Sequence, residues 1–406
     1  MVGSSTQAGT PLSFPFPAPP SIFHPAPELS RLQRDRPVAP VRFPDGNTGW
    51  LVTRYDDVRQ VLTDPRFSRA AATGPGVPST GLSQMAAASI LGMDPPEHTR
   101  LRRLVAGAFT ARRVEALRPR AAQLVDELID RLLTLPQPAD LVENFSLPLP
   151  VQVICELLGV PAEDRHVFHE WSDSMLGDLT RDPDEMMAAF GLLAEYFGRL
   201  IAMKRANPAQ DLMTALIEAR DEHDRLTEME LVIMGVSLLV AGHETTANQL
   251  NLCLLTLHEY PDELERLRAR PETIPQAVEE LMRFVQLGGG AGAGMPRVAT
   301  EDVELSGVHI PAGAAVIPMS GVANRDPAAV SDPDRLDVTR PQAAHLAFGA
   351  GVHHCLGAQL ARMELQEALR GLLGRMPGLR IATPVEELRF KDGVIVRSLH
   401  ALPVRW

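Results

Sequence analysis

Cysteine is scarce in this chain of 406 residues, which contains only Cys155, Cys253 and Cys355. Three widely spaced cysteines form no disulfide framework, so we expect a reducing compartment, the cytoplasm. The sequence also lacks a C-x-x-C pair and a second cluster of cysteine and histidine. A zinc site is therefore not expected, and a covalently attached c-type haem, which requires C-x-x-C-H, is excluded.

Long apolar runs are missing as well. Runs such as IMGVSLLVAG reach only about half of the ~20 residues that a membrane span needs. The N-terminus has no charged segment followed by an apolar one. The sequence therefore predicts a soluble protein with neither a signal peptide nor a membrane anchor.

Positive charge is limited and unevenly placed. The net charge is −12, which argues against wholesale nucleic-acid binding. Between His98 and Arg120, however, a single acid, Glu115, stands against seven arginines: Arg100, Arg102, Arg103, Arg112, Arg113, Arg118 and Arg120. Such a patch can mark a docking site for an acidic partner, and a solvated helix face is the simpler alternative.

The pattern along the chain predicts a mainly α-helical protein with a minor β portion. Residues 1–27 are rich in proline and predict a flexible arm, and residues 70–92 predict a long loop. Residues 97–206 have helical periodicity, a helix from Thr227 to about Glu259 begins with the capping box T-E-M-E, and further helices are predicted at 275–286 and 357–374. A hairpin near 41–55, short strands between 296 and 320, and strands at the C-terminus complete the prediction.

Cys355 lies in the stretch F-G-A-G-V-H-H-C-L-G, just before a predicted helix. A helix N-terminus stabilises a thiolate, and the glycines allow the backbone to approach something large and flat. Such a residue can be a nucleophile, a metal ligand or a structural cysteine.

A second polar group, A-G-H-E-T-T at residues 241–246, interrupts the most apolar helix. Burying the Glu244 carboxylate without a partner costs several kcal/mol, of order 3 or more, which suggests a use for it. Thr245 can bond back to the carbonyl of Ala241, and Gly242 weakens the same turn, so an opening beside an acid and an alcohol is expected. That arrangement suits proton delivery, although a purely structural polar kink remains the alternative.

With Glu280 and Arg283 of E-L-M-R, these motifs resemble the three signatures of the cytochrome P450 family, and the resemblance extends from about Phe43 to Trp406. It implies a triangular, α-rich fold with a long central helix over haem. It also implies one domain at 28–406, with a β-rich lobe formed by about 28–70, 296–320 and 380–406. Cys355 would ligate haem iron, and Glu244 with Thr245 would form the catalytic acid–alcohol pair. Glu280, Arg283 and Arg340 would form a structural triad.

The resemblance further implies which residues surround the cofactor and the substrate. The cofactor residues would be His98, Arg102, Ala241, Gly242, Arg297, Phe348, Gly349, His353, Cys355 and Gly357. The substrate pocket would be lined by Leu239, Val240, His243, Gly290, Met295, Val394 and Ile395. The sequence departs from relatives at Val330, Ser331 and Leu336 and in the glycine-rich stretch 287–294, where a dinucleotide-binding interpretation fails because no strand precedes it.

The function that the resemblance implies is insertion of one oxygen atom into a hydrophobic natural product, such as a polyketide, peptide or terpenoid. The cofactor would be haem b. Electrons would come from NAD(P)H through a separate ferredoxin reductase and ferredoxin, and the protein would be a cytoplasmic monomer that binds neither nucleic acid nor membrane. Only two of the 39 basic residues are lysine, which is typical of a GC-rich genome such as an actinobacterium's. Oxidative coupling without oxygen insertion, or non-catalytic haem binding, are the alternatives.

Overall fold

The computed structural model describes residues 10–17, 19, 21–74, 76–77, 87–164, 183–221, 226–288, 295–341, 344–391 and 396–406. The chain divides into two compact units. The first unit comprises Met1–Thr99, Glu279–Leu336 and Pro341–Cys355. The second unit comprises Arg100–Val278, Asp337–Arg340 and Leu356–Trp406. Among the described helices, none is long and apolar enough to cross a membrane.

A six-stranded sheet forms the centre of the first unit, in the order β1-β2-β3-β9-β6-β4. Its strands are β1 Leu12–Ser13, β2 Val38–Arg42, β3 Thr48–Val52, β4 Phe67–Ser68, β6 Arg297–Ala299 and β9 Ala315–Pro318. The predicted hairpin is confirmed as β2 and β3, which pair antiparallel with Pro40 opposite Trp50. A separate small hairpin joins β7 Val303–Leu305 to β8 Val308–Ile310.

Two apolar clusters stabilise this unit. One contains Val52 of β3, Val316 of β9 and the helical residue Val61. The other contains Leu29, Leu51 and Ile317. The helices that contribute are α1 Pro27–Asp35, α2 Tyr55–Thr63 and the short α11 Ser320–Ala323. Both faces of the central strands are therefore covered.

The proline-rich N-terminus is more ordered than we expected from its composition. Leu12 and Ser13 pair in parallel with Val41 and Arg42 of β2. Phe14 is buried and packs edge-on against Phe16 and Phe43. The aromatic residues between the prolines anchor the segment to the sheet edge, which the general proline signal did not indicate.

The second unit is mainly helical. Its helices are α4 Ala111–Leu133, α5 Pro148–Leu158, α6 Pro183–Ala206, α7 Leu212–Asp221, α8 Glu228–Glu259, α9 Pro261–Ala269 and α12 Ala358–Arg375. Two more helices, α3 Glu97–Ala106 and α10 Ile274–Phe284, continue from one unit into the other along the chain. Pro148 and Pro261 stand at helix starts, where the missing N–H costs no hydrogen bond.

The long helix α8 has 32 residues and is therefore about 48 Å long. The predicted capping box is confirmed. Thr227 Oγ1 accepts from Glu230 N at 3.1 Å, and Glu230 Oε2 accepts from Thr227 N at 2.7 Å. These two bonds satisfy backbone donors that a helix start otherwise leaves open.

The C-terminal strands form a sheet that is separate from the six-stranded one. β10 Arg380–Ile381 and β5 Ala139–Asp140 both pair with β11 Pro403–Arg405, and this three-stranded sheet belongs to the second unit. The expected grouping with residues 28–70 and 296–320 is therefore not observed. The strands are two or three residues long, too short for sequence alone to indicate their partners.

Two glycines of α12 provide a test of helix packing. A Cβ at Gly371 would lie 2.3 Å from Val125 Cγ1 of α4, whereas a Cβ at Gly374 would meet nothing within 4 Å. We expect Gly371→Ala to lower the free energy of unfolding by about 1–3 kcal/mol, because the added methyl group overpacks the contact. The matched control, Gly374→Ala, should raise it by about 0.5–1 kcal/mol. Denaturant midpoints measure both, and equal effects of the two changes would contradict this packing.

Candidate active site

The cysteine loop holds Cys355 at the surface of the first unit. Cys155 and Cys253 are buried, whereas Cys355 is exposed. Cys355 N donates to Phe348 O at 2.8 Å, which closes the loop. Gly351 has a φ of +71°, and a Cβ there would lie 2.5 Å from the carbonyl oxygen of Leu62. Only glycine fits this position, so the loop is fixed against the end of α2.

The other predicted loop residues surround this turn. Gly349 has a φ of +69°, and its N donates to Leu346 O at 2.9 Å. The Phe348 ring centroid lies 6.0 Å from that of His345 and 6.4 Å from that of His354. Gly357 is the N-cap of α12. The fold therefore gives each of these motif positions a defined place.

A buried cationic cluster also belongs to the first unit, and it contains the predicted residues His98, Arg297 and His353. The rings of His98 and His353 are 4.3 Å apart between centroids. Burial, together with the charge of Arg69, lowers the pKa of Arg297 to about 9. Burial, together with Arg297, His98 and Arg69, lowers the pKa of His353 to about 3.

Arg69 is the member of this cluster that the sequence analysis missed. It is buried, with its Nη1 donating to Pro296 O at 2.5 Å and its Nε to Leu91 O at 3.0 Å. Burial lowers its pKa to about 10. Ser68 pairs with Val298 between β4 and β6, so the same register places Arg69 opposite Arg297. Identifying Arg69 would have required knowing that the two-residue strand β4 pairs with β6. The sequence alone does not show this pairing.

The cluster carries more positive than negative charge. Asp94 is the carboxylate that acts on Arg69, Arg297 and His353, and it accepts from Arg69 N at 2.8 Å. Arg297 Nε and His353 Nε2 have no hydrogen-bond partner among the described residues. Two buried guanidinium groups facing one carboxylate favour binding of a further anionic group.

The middle of α8 presents one accessible stripe along a helix that is otherwise largely buried. Its members are Ser237, Leu238, Ala241, Gly242 and Thr245. Their spacing of three or four residues places them on one helix face. At one edge of the stripe, a Cβ at Gly242 would lie 3.0 Å from Ile154 Cγ1 of α5.

Side chains in this turn bond back to the helix. Thr245 Oγ1 donates to Ala241 O at 2.8 Å, and Thr246 Oγ1 donates to Gly242 O at 3.2 Å. The predicted back-bonding of Thr245 is confirmed. Such bonds compete with the helical ladder and loosen this turn.

Glu244 is buried at the edge of the stripe, three residues after Ala241. Its Oε1 accepts from Asn248 Nδ2 at 2.9 Å and from Ser398 Oγ at 3.3 Å. Glu244 Oε2 has no hydrogen-bond partner among the described residues and lies 3.9 Å from His243 Nε2. Asn248 and Ser398 were not identified from the sequence.

The residues expected to line the substrate pocket are placed unequally. Leu239 and His243 are fully buried and Val240 is nearly so, whereas Ser237 and Leu238 on the same helix are accessible. Met295 is half-buried, and its Sδ lies 3.6 Å from Arg69 Nη2. Gly290, Val394 and Ile395 lie outside the described residues.

The ion pair of the E-x-x-R motif supports the cysteine loop. Arg283 donates to both Glu280 oxygens at 2.8 and 2.9 Å, and both side chains are buried. Arg283 Nη1 also donates to Asn324 O at 2.9 Å. Asn324 Oδ1 in turn accepts from Leu346 N at 2.7 Å, just before the loop.

Two predicted basic residues belong to the second unit. Arg102 is half-buried on α3, and Arg340 is half-buried, with its carbonyl oxygen accepting from Gln276 Nε2 at 2.7 Å. The roles expected for both, as a cofactor residue and as a triad member, remain predictions.

The arginine-rich stretch divides into paired and unpaired residues. Arg100 pairs with Glu230, Arg118 with Glu115 and Glu367, and Arg120 with Glu156. The exposed guanidinium groups that form no ion pair with a described residue belong to Arg103, Arg112 and Arg113. The surplus positive surface is therefore smaller than the sequence suggested.

Residues 43–376 match the family model for cytochrome P450. The chain is 48% identical over 396 residues to nocardicin C N-oxygenase of Nocardia uniformis subsp. tsuyamanensis. This alignment covers 97% of this chain and 98% of that protein. It is 49% identical over 375 residues to mycinamicin IV hydroxylase/epoxidase of Micromonospora griseorubida, covering 92% and 94%.

Solved structures agree with these matches. The crystal structure of the LnmA cytochrome P450 hydroxylase from the leinamycin pathway of Streptomyces atroolivaceus superposes with a TM-score of 0.91 at 47% identity, covering 97% of this chain and all of that one. The predicted fold class is therefore confirmed. The chain belongs to the cytochrome P450 family and is a monooxygenase whose family uses haem iron.

Proposed function

We propose that Cys355 is the thiolate ligand of the haem iron. The observation that carries this proposal is its exposure on a loop fixed by glycine, while the other two cysteines are buried. When bound, haem supplies an iron centre at which dioxygen is activated. A thiolate on that iron increases electron density and favours cleavage of the O–O bond.

The cationic cluster fits the two propionates of haem b. Arg69 and Arg297 are buried and share one carboxylate, Asp94, and Arg297 Nε has no acceptor among the described residues. Propionate oxygens would supply the missing acceptors and balance the charge. We assign Arg69, Arg297, His98 and His353 to this role, with Arg102 as a further candidate.

Glu244 and Thr245 would control the supply of protons. The Thr245 hydroxyl donates a hydrogen bond to Ala241 O, so its oxygen is left to accept a hydrogen bond on the accessible side of α8. Glu244 is the carboxyl group next to it along the chain and is held away from solvent. The acid would hold a proton, and the alcohol would orient it toward the accessible stripe.

The ligand assignment is tested by the spectrum of the reduced protein with carbon monoxide. We expect the red-shifted Soret band of a thiolate-ligated haem. A reduced, haem-loaded protein whose band lies at the position typical of histidine ligation would contradict the assignment.

Thr245→Ala should separate electron consumption from product formation. Without the hydroxyl, proton delivery loses its orientation, so product per electron pair should fall by about tenfold or more while peroxide rises. The matched control is Thr246→Ala, because Thr246 makes the same back-bond but is buried. Product and peroxide are measured against NAD(P)H consumed, and unchanged coupling in the Thr245 variant would contradict the role of Thr245 in proton delivery.

The proposed substrate is a hydrophobic natural product such as a macrolide, peptide or terpenoid. The relatives named for nocardicin and mycinamicin support this class, and the accessible stripe of α8 is composed mainly of small or apolar residues. A screen of such compounds for a low-to-high-spin shift of the haem would identify binders. Their products should gain the mass of one oxygen atom, whereas loss of two hydrogens would indicate oxidative coupling.

Electrons would come from NAD(P)H through a ferredoxin reductase and a ferredoxin, in the cytoplasm, to a monomeric enzyme. Ferredoxins are acidic, and Arg103, Arg112 and Arg113 provide exposed positive charge without acidic partners among the described residues. Complementary charge of this kind mainly raises the association rate.

Replacing Arg112 and Arg113 by glutamine should raise the ferredoxin concentration needed for half-maximal turnover by about tenfold at low salt. The difference should largely disappear near ~0.5 M salt, because the Debye length becomes shorter than the contact range. Arg131→Gln, an exposed arginine near the other end of α4, is the control. An equal effect of both changes would contradict a local docking site.

A further inference from the structure

His243 occupies a fully buried position next to Glu244 on α8. Its Nδ1 lies 2.9 Å from the carbonyl oxygen of Leu239. A carbonyl oxygen only accepts, so Nδ1 must carry a proton and donate it. In the neutral ring the lone pair is then on Nε2, the nitrogen that lies 3.9 Å from Glu244 Oε2.

The two oxygens of Glu244 have different surroundings. Oε1 accepts from Asn248 Nδ2, and Ser398 Oγ lies 3.3 Å from it. Ser398 Oγ is also 2.9 Å from Val396 O, so its single proton is divided between two acceptors. Oε2 has no donor among the described residues and lies on the side of His243. Asn248 and Ser398 thereby fix which oxygen meets the imidazole.

A neutral imidazole and an ionised carboxylate would place a lone pair against a negative oxygen in a site without solvent. This contact is repulsive, and burying an uncompensated carboxylate is costly. One proton between Nε2 and Oε2 removes the repulsion, either as a carboxylic acid that faces the ring or as an imidazolium that faces the carboxylate. In both forms the charges balance to the same total.

We infer that His243 and Glu244 form a pair that holds one shared proton beside Thr245, with His243 as the positioning residue for the catalytic acid. The inference rests on the proposed role of Glu244 as proton source and adds where that proton is held. Both side chains are buried, so the pair keeps the proton away from solvent, next to the turn that Thr245 loosens. When Glu244 gives up the proton from Oε2, the electron pair stays on the carboxylate, and Nε2 of His243 is placed to hold the next proton.

The test uses the haem-loaded protein without substrate or turnover. Infrared spectra with ¹³C-labelled glutamate detect protonated glutamate carboxyl groups. A second buried acid, Glu364, must be removed from the spectrum, because burial raises its pKa to about 8. The measurements are therefore made in a Glu364→Gln background, with and without Glu244→Gln. Nitrogen-15 NMR of labelled histidines, assigned by loss of a signal in His243→Phe, reports whether Nε2 carries a proton.

We expect one proton in one of two places. Either an isotope-sensitive acid band is present and is lost in Glu244→Gln, or the Nε2 of His243 is protonated and becomes unprotonated in Glu244→Gln. Finding neither signal, or both together, overturns the inference. The carbon monoxide spectrum of each variant shows independently whether the haem-thiolate site is intact, so failure of the pair is distinct from failure of the proposed function.

A functional readout distinguishes positioning from simple packing. His243→Phe keeps a ring of similar size but removes both nitrogens, and it should lower product per electron pair by about tenfold. His243→Asn keeps a short donor toward Leu239 O but has no equivalent of Nε2, so it should show the same loss. Normal coupling in both variants, with an unchanged carbon monoxide band, contradicts the inference.

Discussion

Cys355→Ala abolishes the thiolate-type carbon monoxide band and substrate oxidation. The expected loss is complete, because no other cysteine is exposed in the described part of the chain and neutral ligands do not supply the same electron density. The loop itself should persist, since the bond from the backbone N of residue 355 to Phe348 O does not involve the side chain. Haem content, band position and product formation measure the effect.

The chain offers matched controls for this change. Cys155→Ala and Cys253→Ala remove the same sulfur from buried positions in the second unit. Burial raises the pKa of Cys253 to about 12, so it is a thiol at neutral pH and not a candidate ligand. Both controls should retain the band. Loss of the band in a control, or its survival in Cys355→Ala, would contradict the assigned ligand.

Glu364→Gln removes a large pH-dependent loss of stability. Glu364 is buried on α12, its Oε2 has no partner among the described residues, and burial raises its pKa from 4.5 to about 8. The folded protein therefore binds this proton more tightly than the unfolded chain does. The stability it contributes is present below about pH 4.5 and is lost as the pH rises toward 8.

The expected size follows from the same shift. Between about pH 5 and 8, the wild type should lose about 1.4 kcal/mol of unfolding free energy per pH unit relative to Glu364→Gln, or about 4 kcal/mol in total. Denaturant unfolding of both proteins at several pH values measures this difference. Glu218→Gln, at an exposed position on α7, is the control and should parallel the wild type. Parallel curves for Glu364→Gln and the wild type would contradict a protonated buried acid.

The short motifs could be predicted from the sequence because each one depends on interactions between residues close together in the chain. Thr227 and Glu230 predict the start of α8 from backbone donors alone, and Glu280 with Arg283 lie one helical turn apart. The glycine at 351 marks a backbone turn with a φ of +71°, which glycine adopts without strain. These features do not depend on which distant element packs against them.

Features that depend on pairing between distant short segments were not readable. Arg69 joins the cationic cluster only because β4 pairs with β6, and Ser398 reaches Glu244 across 154 positions of the chain. The order of the N-terminal segment has the same origin, since Phe14 is buried by Phe43. Composition describes such segments as loop or arm, and tertiary contacts decide their structure.

Two accessible positions of α8 take no part in the hydrogen bonds that hold the buried acid Glu244, and this independence affects how the enzyme can change. Ser237 and Leu238 present surface without contributing to the hydrogen bonds that hold Glu244. Variation at these two positions can therefore reshape what the enzyme accepts while the proton-handling residues keep their geometry. A directed-evolution library confined to positions 237 and 238 thus offers new selectivity with little risk to chemical competence.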